Sequence, residues 1–201
     1  SFSCASFCFS ANAAADGVYD AANEYNNIYG HAINIPKLDE ACKSEIAANA
    51  VQQIKDDGQF AGIVGTTCSD SAIAAMKYLS NAGYTMVSPS NTRTSLTLPG
   101  SHPPGYFRVA PSDSVEAQPM ANFALKQDWS GVAIIYTDTA YYSTMADLFA
   151  QAFTSVEGKI VSQDKISSNT TDFSSILNNY YYYGDSLDAI YLSMPADQSS
   201  N

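Results

Sequence analysis

The sequence predicts an α/β fold with mainly parallel sheets, and two observations carry this prediction. Short apolar runs, such as residues 60–64 and 132–136, have the length and composition of strands that are buried on both faces. Segments with apolar residues at helical spacing lie between these runs, so strand and helix alternate along the chain. Such alternation is typical of strands joined through crossover helices, which makes neighbouring strands parallel.

The first half of the chain contains three predicted helices. Residues 13–27 carry apolar residues at helical spacing and are followed by a stop at Gly30. Gly58 and Gly83 end the other two, since glycine tolerates the left-handed conformation that often closes a helix. The predicted elements in order are helix 13–27, a β-type run at 31–35, helix 39–56, strand 60–64, helix 71–82 and strand 85–88.

A loop separates the two halves of the chain. Residues 89–104 contain four prolines and many hydroxyl side chains, a composition that favours loop over core. The elements predicted after it are strand 106–109, helix 114–127, strand 132–136, helix 144–156, strand 158–165, helix 173–182 and strand 189–193. We therefore predict a first lobe at residues 1–108 and a second lobe at residues 109–201.

Charge and composition argue against several classes of function. The 201 residues include 9 Lys and Arg against 20 Asp and Glu, and the net charge of -11 disfavours nucleic acid and anionic membranes as partners. The sequence has no run of 18 apolar residues, so we predict no membrane span. The cysteines at positions 4, 8, 42 and 68 lack the paired spacing of a zinc site, and we expect neither a metal nor another cofactor.

Several features favour a secreted protein. Charged residues make up only 14% of the chain, and Asn169-Thr170-Thr171 is a sequon for N-glycosylation. Residues 1–13 form either the tail of a signal peptide or the end of a first strand and its loop. We expect an extracellular or periplasmic protein, with a glycan on Asn169 if the chain enters a secretory route.

The turn after strand 60–64 is the first candidate site. Its sequence, VGTTCSDS, brings small polar residues to a helix N-terminus, where unpaired N–H groups and the positive end of the helix dipole can hold a carboxylate or phosphate. The hydroxyls of Ser69 and Ser71 can assist, or one of them can simply cap the helix. Asp70 opposes an anion here unless its carboxylate points outward.

A second hydroxyl-rich turn follows strand 85–88 and has the sequence SPSNT at residues 88–92. Ligands of parallel α/β sheets bind beyond the carboxyl ends of the strands, where loops enter helices. We therefore expect the two turns to lie side by side and to hold one small anion between them.

Ordered segments of the chain resemble the type I periplasmic-binding fold. They are Cys42, FAGIVGTTCSDSAIAA, YTMVSPSNTRTSLT, YFRVAPSDSVEAQPMANFALKQDWSGVAIIYTDTAYYSTMADLF and TDFSSILN. This superfamily includes bacterial branched-chain amino-acid binding proteins and the ligand-binding ectodomains of natriuretic-peptide and metabotropic glutamate receptors. The resemblance implies two Rossmann-like lobes with parallel sheets that close on a small polar ligand like a Venus flytrap, without enzymatic chemistry.

The resemblance also implies individual site residues. Cys42 and Cys68 would form a disulfide. The carboxylate of an amino-acid-like ligand would meet Ser69, the backbone around Ser90 and Asn91, and the hydroxyl of Thr92. Tyr141 would cover the ligand from the second lobe.

The chain departs from the family pattern in three places. Tyr141-Tyr142-Ser143 stands where the family usually has Tyr-Gly, which gives a bulkier edge to the cleft. We expect the first strand to be cut to about residues 1–4. The second lobe is expected to be incomplete, because the family continues well beyond the position of Asn201.

Other interpretations stay open. Cys68 on a strand-to-helix turn can be a hydrolase nucleophile with His31 or His102 as base, an interpretation that fails if Cys68 is bonded to Cys42. A structural or adhesive glycoprotein with a vestigial pocket is the second alternative, and the tyrosine run at 180–183 suits it. Cys4 and Cys8 can pair with each other or with another chain, and a homo-oligomer through the first lobe is a further option.

Overall fold

The computed structural model describes residues 8–30 and 32–195. The chain divides into two compact units between Ser112 and Asp113. Each unit contains a three-stranded parallel sheet with helices packed against it. The predicted α/β class with parallel sheets is therefore confirmed.

The first unit holds the sheet that carries the candidate turns. Its strands lie in the order β1-β2-β3 and pair in parallel, with Ile63 opposite Met86 and Met86 opposite Tyr106. Its elements are α1 (Cys8–Tyr29), α2 (Ser44–Asp57), β1 (Ile63–Val64), α3 (Ser69–Leu79), a 3-10 turn (Ser80–Ala82), β2 (Met86–Ser88), a 3-10 turn (Thr94–Leu96) and β3 (Tyr106–Arg108).

The core of the first unit lies between its sheet and helices α2 and α3. Helix α2 turns Ala47, Val51 and Ile54 inward, at the i, i+4, i+7 spacing of one helix face. Val51 and Ile54 belong to the same buried cluster as Leu79 of α3 and Met86 of β2. Burial of α3 on this core fixes where the helix begins, and so where its first turn lies.

The second unit has its own sheet, in the order β5-β4-β6. Its elements are α4 (Asp113–Lys126), β4 (Gly131–Thr137), α5 (Ala140–Ser155), β5 (Lys159–Ile166), α6 (Ser174–Tyr180), a 3-10 segment (Tyr181–Ser186) and β6 (Ala189–Ser193). The central strand β4 is buried along almost its whole length, as its apolar sequence predicts. Phe149 of α5 stacks on Phe153 and on Tyr191 of β6, so aromatic rings join the helix to the sheet.

Asp188 fastens the start of β6 to the start of β4. Its carboxylate accepts hydrogen bonds from the backbone N–H groups of Gly131 and Ser130, both at 2.8 Å. These bonds favour the charged carboxylate and lower the pKa of Asp188.

The predicted β-type run at 31–35 is wrong for its described residues, 32–35, which form no strand. The backbone N–H of Ile33 donates to the side chain of Asn26 at 2.9 Å, and the carbonyl of Ile35 accepts from the Tyr19 hydroxyl at 3.0 Å. Side chains of α1 thus use backbone groups that a sheet ladder would need.

Four helices begin two or more residues from the predicted position. Helix α1 begins at Cys8 rather than at residue 13, and α3 begins at Ser69 rather than at residue 71. Helix α2 begins at Ser44 rather than at residue 39, because Ala41 and Cys42 adopt left-handed φ angles of 47° and 52° that interrupt any helix. Helix α5 begins at Ala140, four residues before the prediction, where Thr139 caps it by accepting a hydrogen bond from the backbone of Tyr142. Tyr141 therefore belongs to the first turn of α5.

Some predictions fall on parts of the chain that the structure does not describe. The expected first strand at residues 1–4, the partners of Cys4 and of the Cys8 side chain, and the base role of His31 lie outside the described residues. None of the helices in the described part of the chain combines the length and apolar character needed to cross a membrane.

Candidate ligand site at two neighbouring turns

The two turns predicted from the sequence do lie side by side. One connects β1 to α3 (residues 65–68), and the other follows β2 (residues 89–93). Because β1 and β2 are adjacent and parallel, with Val64 opposite Val87, their carboxyl ends reach the same edge of the sheet.

Side chains of the second turn bind the backbone of the first. The Ser90 hydroxyl donates to the carbonyl of Thr67 at 2.9 Å, and the Asn91 amide donates to the carbonyl of Thr66 at 3.0 Å. In return, the Ser69 hydroxyl oxygen accepts the backbone N–H of Arg93 at 3.3 Å. Ser69 thus lies next to the segment that contains Thr92, and the two turns form one hydrogen-bonded assembly.

Asn91 holds this assembly together from inside. Its exposed fraction is 0%, and its side-chain oxygen accepts from the Tyr106 hydroxyl at 3.2 Å. Burial is the main cause that raises the pKa of Tyr106, which keeps this hydroxyl protonated as a donor. Arg108 also donates to the carbonyls of Asn91 and Arg93, at 3.2 and 3.0 Å. The position of Asn91 indicates that it orients the turn from within the protein.

Several donors of the two turns have no acceptor within the part of the chain that the structure describes. The N–H groups of Ser69, Asp70 and Ser71 open helix α3, and they find no acceptor among the described residues. The Ser69 hydroxyl accepts from Arg93, so its own proton stays available to donate. The half-buried Thr92 hydroxyl makes no hydrogen bond within the described chain. Ser71 is buried, so the groups that a ligand can reach are the N–H groups of Ser69 and Asp70 and the hydroxyls of Ser69 and Thr92, which together can bind one carboxylate.

A residue that the sequence analysis missed, Glu40, occupies part of the same turn. Its carboxylate accepts the backbone N–H groups of Thr67 and Cys68 at 3.0 and 3.3 Å. It also accepts the Ser71 hydroxyl at 2.6 Å. Ser71 is fully buried and donates inward, so the expectation that its hydroxyl assists a ligand is wrong. Only the position of Glu40 two residues before Cys42 could have suggested its role.

Asp70 does not compete for the free N–H groups in the way its sequence position suggests. Its carboxylate pairs with the Arg93 guanidinium at 2.8 Å. Half of the Asp70 side chain is exposed, so the ion pair contributes little to stability. The pair does turn the carboxylate toward Arg93 and gives the two turns a further link.

The Cys42–Cys68 disulfide that the resemblance implies is present, with Cα atoms 5.2 Å apart. With its sulfur bonded to Cys42, Cys68 cannot act as the nucleophile of the hydrolase alternative. His102, one of the two candidate bases, instead hydrogen-bonds the carbonyl of Tyr106 at 2.7 Å. The Glu40 carboxylate and both sulfurs lie within 4.8 Å of one another, but bonded sulfurs are not thiolate ligands for a metal.

The strained turn before the disulfide gives a first testable prediction. A Cβ atom at the left-handed φ of Ala41 costs about 1 kcal/mol, and glycine removes this cost while adding freedom to the unfolded chain. We expect Ala41→Gly to raise the free energy of unfolding by roughly 0.5 kcal/mol in urea denaturation. The matched control, Ala48→Gly within α2, should lower it by about 1 kcal/mol. Equal losses of stability in both variants would contradict backbone strain at Ala41.

The remaining predicted residues belong to the second unit. Tyr141 is 42% exposed, and its ring packs edge-on against Tyr142 at 5.2 Å. The Tyr142 carbonyl accepts the Ser193 hydroxyl at 2.8 Å, which joins this turn of α5 to β6. Asn169 is exposed in the connection after β5, where an attached glycan has room. The structure leaves the roles of these residues as predictions.

Comparison with known proteins gives the family. Residues 5–181 match the sequence model of the periplasmic binding protein family. The chain belongs to this family. A Leu/Ile/Val-binding protein homolog 3 of Brucella melitensis is 28% identical to it over 164 residues, which are 81% of this chain and 44% of the relative. The Leu/Ile/Val-binding protein of Escherichia coli K12 is 25% identical over 170 residues, or 81% of this chain and 46% of the relative.

The fold of this periplasmic binding protein agrees with a solved structure. An ABC transporter substrate-binding protein of Desulfitobacterium hafniense, described in complex with Leu, superposes with a TM-score of 0.78 at 25% identity. The match covers 92% of this chain and 55% of that protein. The chain thus spans about half the length of the relatives it matches.

Proposed function

We propose that the two turns bind the carboxylate of a small polar ligand, most directly an amino acid. The observation that carries the proposal is a set of accessible donors at one place that have no acceptor among the described residues: the N–H groups of Ser69 and Asp70 and the hydroxyls of Ser69 and Thr92. A helix N-terminus with free N–H groups favours a negative charge. Membership of the periplasmic binding protein family and the leucine bound to the Desulfitobacterium hafniense protein support this ligand class.

The predicted residues have different tasks in this site. Ser69 and Thr92 contact the carboxylate, while Ser90 and Asn91 hold the two turns together from behind. Tyr141 covers the ligand when the lobes close, and closure is a shift between two populated states, without a chemical step. The chain then works as part of a solute-binding protein or a receptor ectodomain in the periplasm or outside the cell.

Calorimetric titration of the chain with L-leucine, L-isoleucine, L-glutamate and benzoate tests the proposal. We expect at least one of the amino acids to bind, and Ser69→Ala with Thr92→Ala to weaken its affinity by about 100-fold. The loss follows because two hydrogen bonds to a charged group disappear. Thr85→Ala is the matched control, since Thr85 is an exposed threonine of the same unit, away from both turns.

Absence of binding across the whole panel would contradict a ligand-binding role for this chain. That result favours the alternative of a structural or adhesive protein with a vestigial pocket. Tyr181 and Tyr182, which are 86% and 85% exposed, support such a surface role.

A further inference from the structure

The Glu40 carboxylate makes the contacts that a bound anion would make. It lies at the start of α3, and its two oxygens accept from two backbone N–H groups and one buried hydroxyl. Hydrogen bonds to an ionised carboxylate are about twice as strong as those between neutral groups. Glu40 comes from a different segment, the loop before α2, so the contact also joins parts of the chain that are 27 residues or more apart.

We propose that the Glu40 carboxylate serves as a built-in anion at the turn before α3. Glu40 is thereby a residue that positions the ligand site and determines its specificity. Its carboxylate accepts the N–H groups of Thr67 and Cys68 and leaves the accessible N–H groups of Ser69 and Asp70 for a ligand.

The loop that carries Glu40 is built to hold this carboxylate in place. The backbone N–H of Lys43 donates to the carbonyl of Glu40 at 2.8 Å, and the N–H of Ala41 donates to the Asp39 carboxylate at 2.8 Å. Ala41 and Cys42 then take left-handed φ angles, which L-residues adopt only where the surroundings enforce them. The disulfide from Cys42 to Cys68 fixes the far side of the turn, so Glu40 and the cystine hold the loop at two points.

The consequence for the ligand rests on the proposed function of the two turns. With the donors of Thr67 and Cys68 already used, the remaining groups suit a single carboxylate. The Glu40 carboxylate lies beside these donors, and its negative charge repels a second negative group on the same ligand. The site therefore selects monocarboxylates, including zwitterionic amino acids, over dianions at this turn.

Chemical rescue with acetate tests the role of Glu40 without any assumption about the ligand. We expect Glu40→Ala to lower the melting temperature of the chain by roughly 5–10 °C, because the turn loses its anion. Acetate should then restore part of this loss, in proportion to its concentration and beyond the effect of chloride at equal ionic strength, as mass action requires. Melting is followed by circular dichroism.

Two matched variants separate the role of Glu40 from other effects. Glu40→Gln keeps an acceptor oxygen in the slot, so it should melt above Glu40→Ala and gain no more from acetate than the wild-type chain. Thr92→Ala, combined with Glu40→Ala, removes a ligand-site hydroxyl and should leave the rescue intact. A Glu40→Ala chain that melts at the wild-type temperature, or that responds equally to acetate and chloride, would overturn the proposal. The proposal would also be overturned if acetate raised the melting temperature of Glu40→Gln as much as that of Glu40→Ala.

A second measurement uses L-leucine as the probe. Glu40→Ala should weaken leucine binding by about tenfold, because the turn that carries Ser69 loses its support. Unchanged leucine affinity in this variant would overturn the positioning role. If the wild-type chain binds no leucine, that failure concerns the proposed function, and the acetate experiment alone decides the role of Glu40.

Discussion

Replacing Cys42 and Cys68 together by serine lowers the free energy of unfolding by about 3.5 kcal/mol. The disulfide joins residues 26 positions apart, and a cross-link over a loop of this length reduces the entropy of the unfolded chain by an amount worth about 3.5 kcal/mol at 25 °C. The variant also frees the loop that presents Glu40, so the start of α3 loses a neighbour as well. Urea denaturation followed by circular dichroism measures the loss.

Reduction of the wild-type chain provides the control for this prediction. A phosphine reductant should bring the wild-type stability down to that of the double-serine variant and leave the variant itself unchanged. If the double-serine variant unfolds at the wild-type urea concentration, the cystine does not hold the ligand turn in the way described above.

Gly131→Ala should destabilise the second unit by roughly 3 kcal/mol. Gly131 begins the buried central strand β4, and a Cβ atom added there would lie 2.0 Å from the carbonyl oxygen of Ser186. This obstacle is backbone, so it cannot move aside as a flexible side chain does. The displaced strand would also lose its hydrogen bonds with Asp188, whose carboxylate accepts from the Gly131 N–H at 2.8 Å.

Gly17→Ala is the matched control for Gly131→Ala. Gly17 lies on an exposed part of α1, and no atom lies within 4 Å of a Cβ added there. Alanine favours a helix over glycine by up to about 1 kcal/mol, so this variant should be as stable as the wild-type chain or more stable. Thermal denaturation of both variants makes the comparison. Equal behaviour of the two would contradict the packing described for β4.

The alternation of strands and helices could be read from the sequence because it depends on local patterns. The apolar run at 132–136 and the spacing in α2 record which faces are buried, and parallel topology follows from the connections. The two turns could be placed for the same reason, since adjacent parallel strands bring their ends together. The predicted bounds of β6 agree with the structure, as both run from Ala189 to Ser193.

Contacts between distant residues could not be read in this way. Nothing in the local pattern shows that Glu40 reaches the turn at Thr67, or that Ser71 points inward to meet it. The strand predicted at residues 32–35 is absent for the same reason, because side chains of α1 form hydrogen bonds with backbone groups of Ile33 and Ile35. Tertiary hydrogen bonds override local propensity at these places.

In the proposed site, the N–H groups of Ser69 and Asp70, which have no acceptor among the described residues, receive the ligand carboxylate. Backbone amide NMR of the chain during titration with L-leucine tests it most directly. We expect the amide signals of Ser69 and Asp70 to shift most, while those of Thr67 and Cys68, which already donate to Glu40, shift little. Leucine that binds while the Ser69 and Asp70 signals stay in place would contradict this carboxylate site.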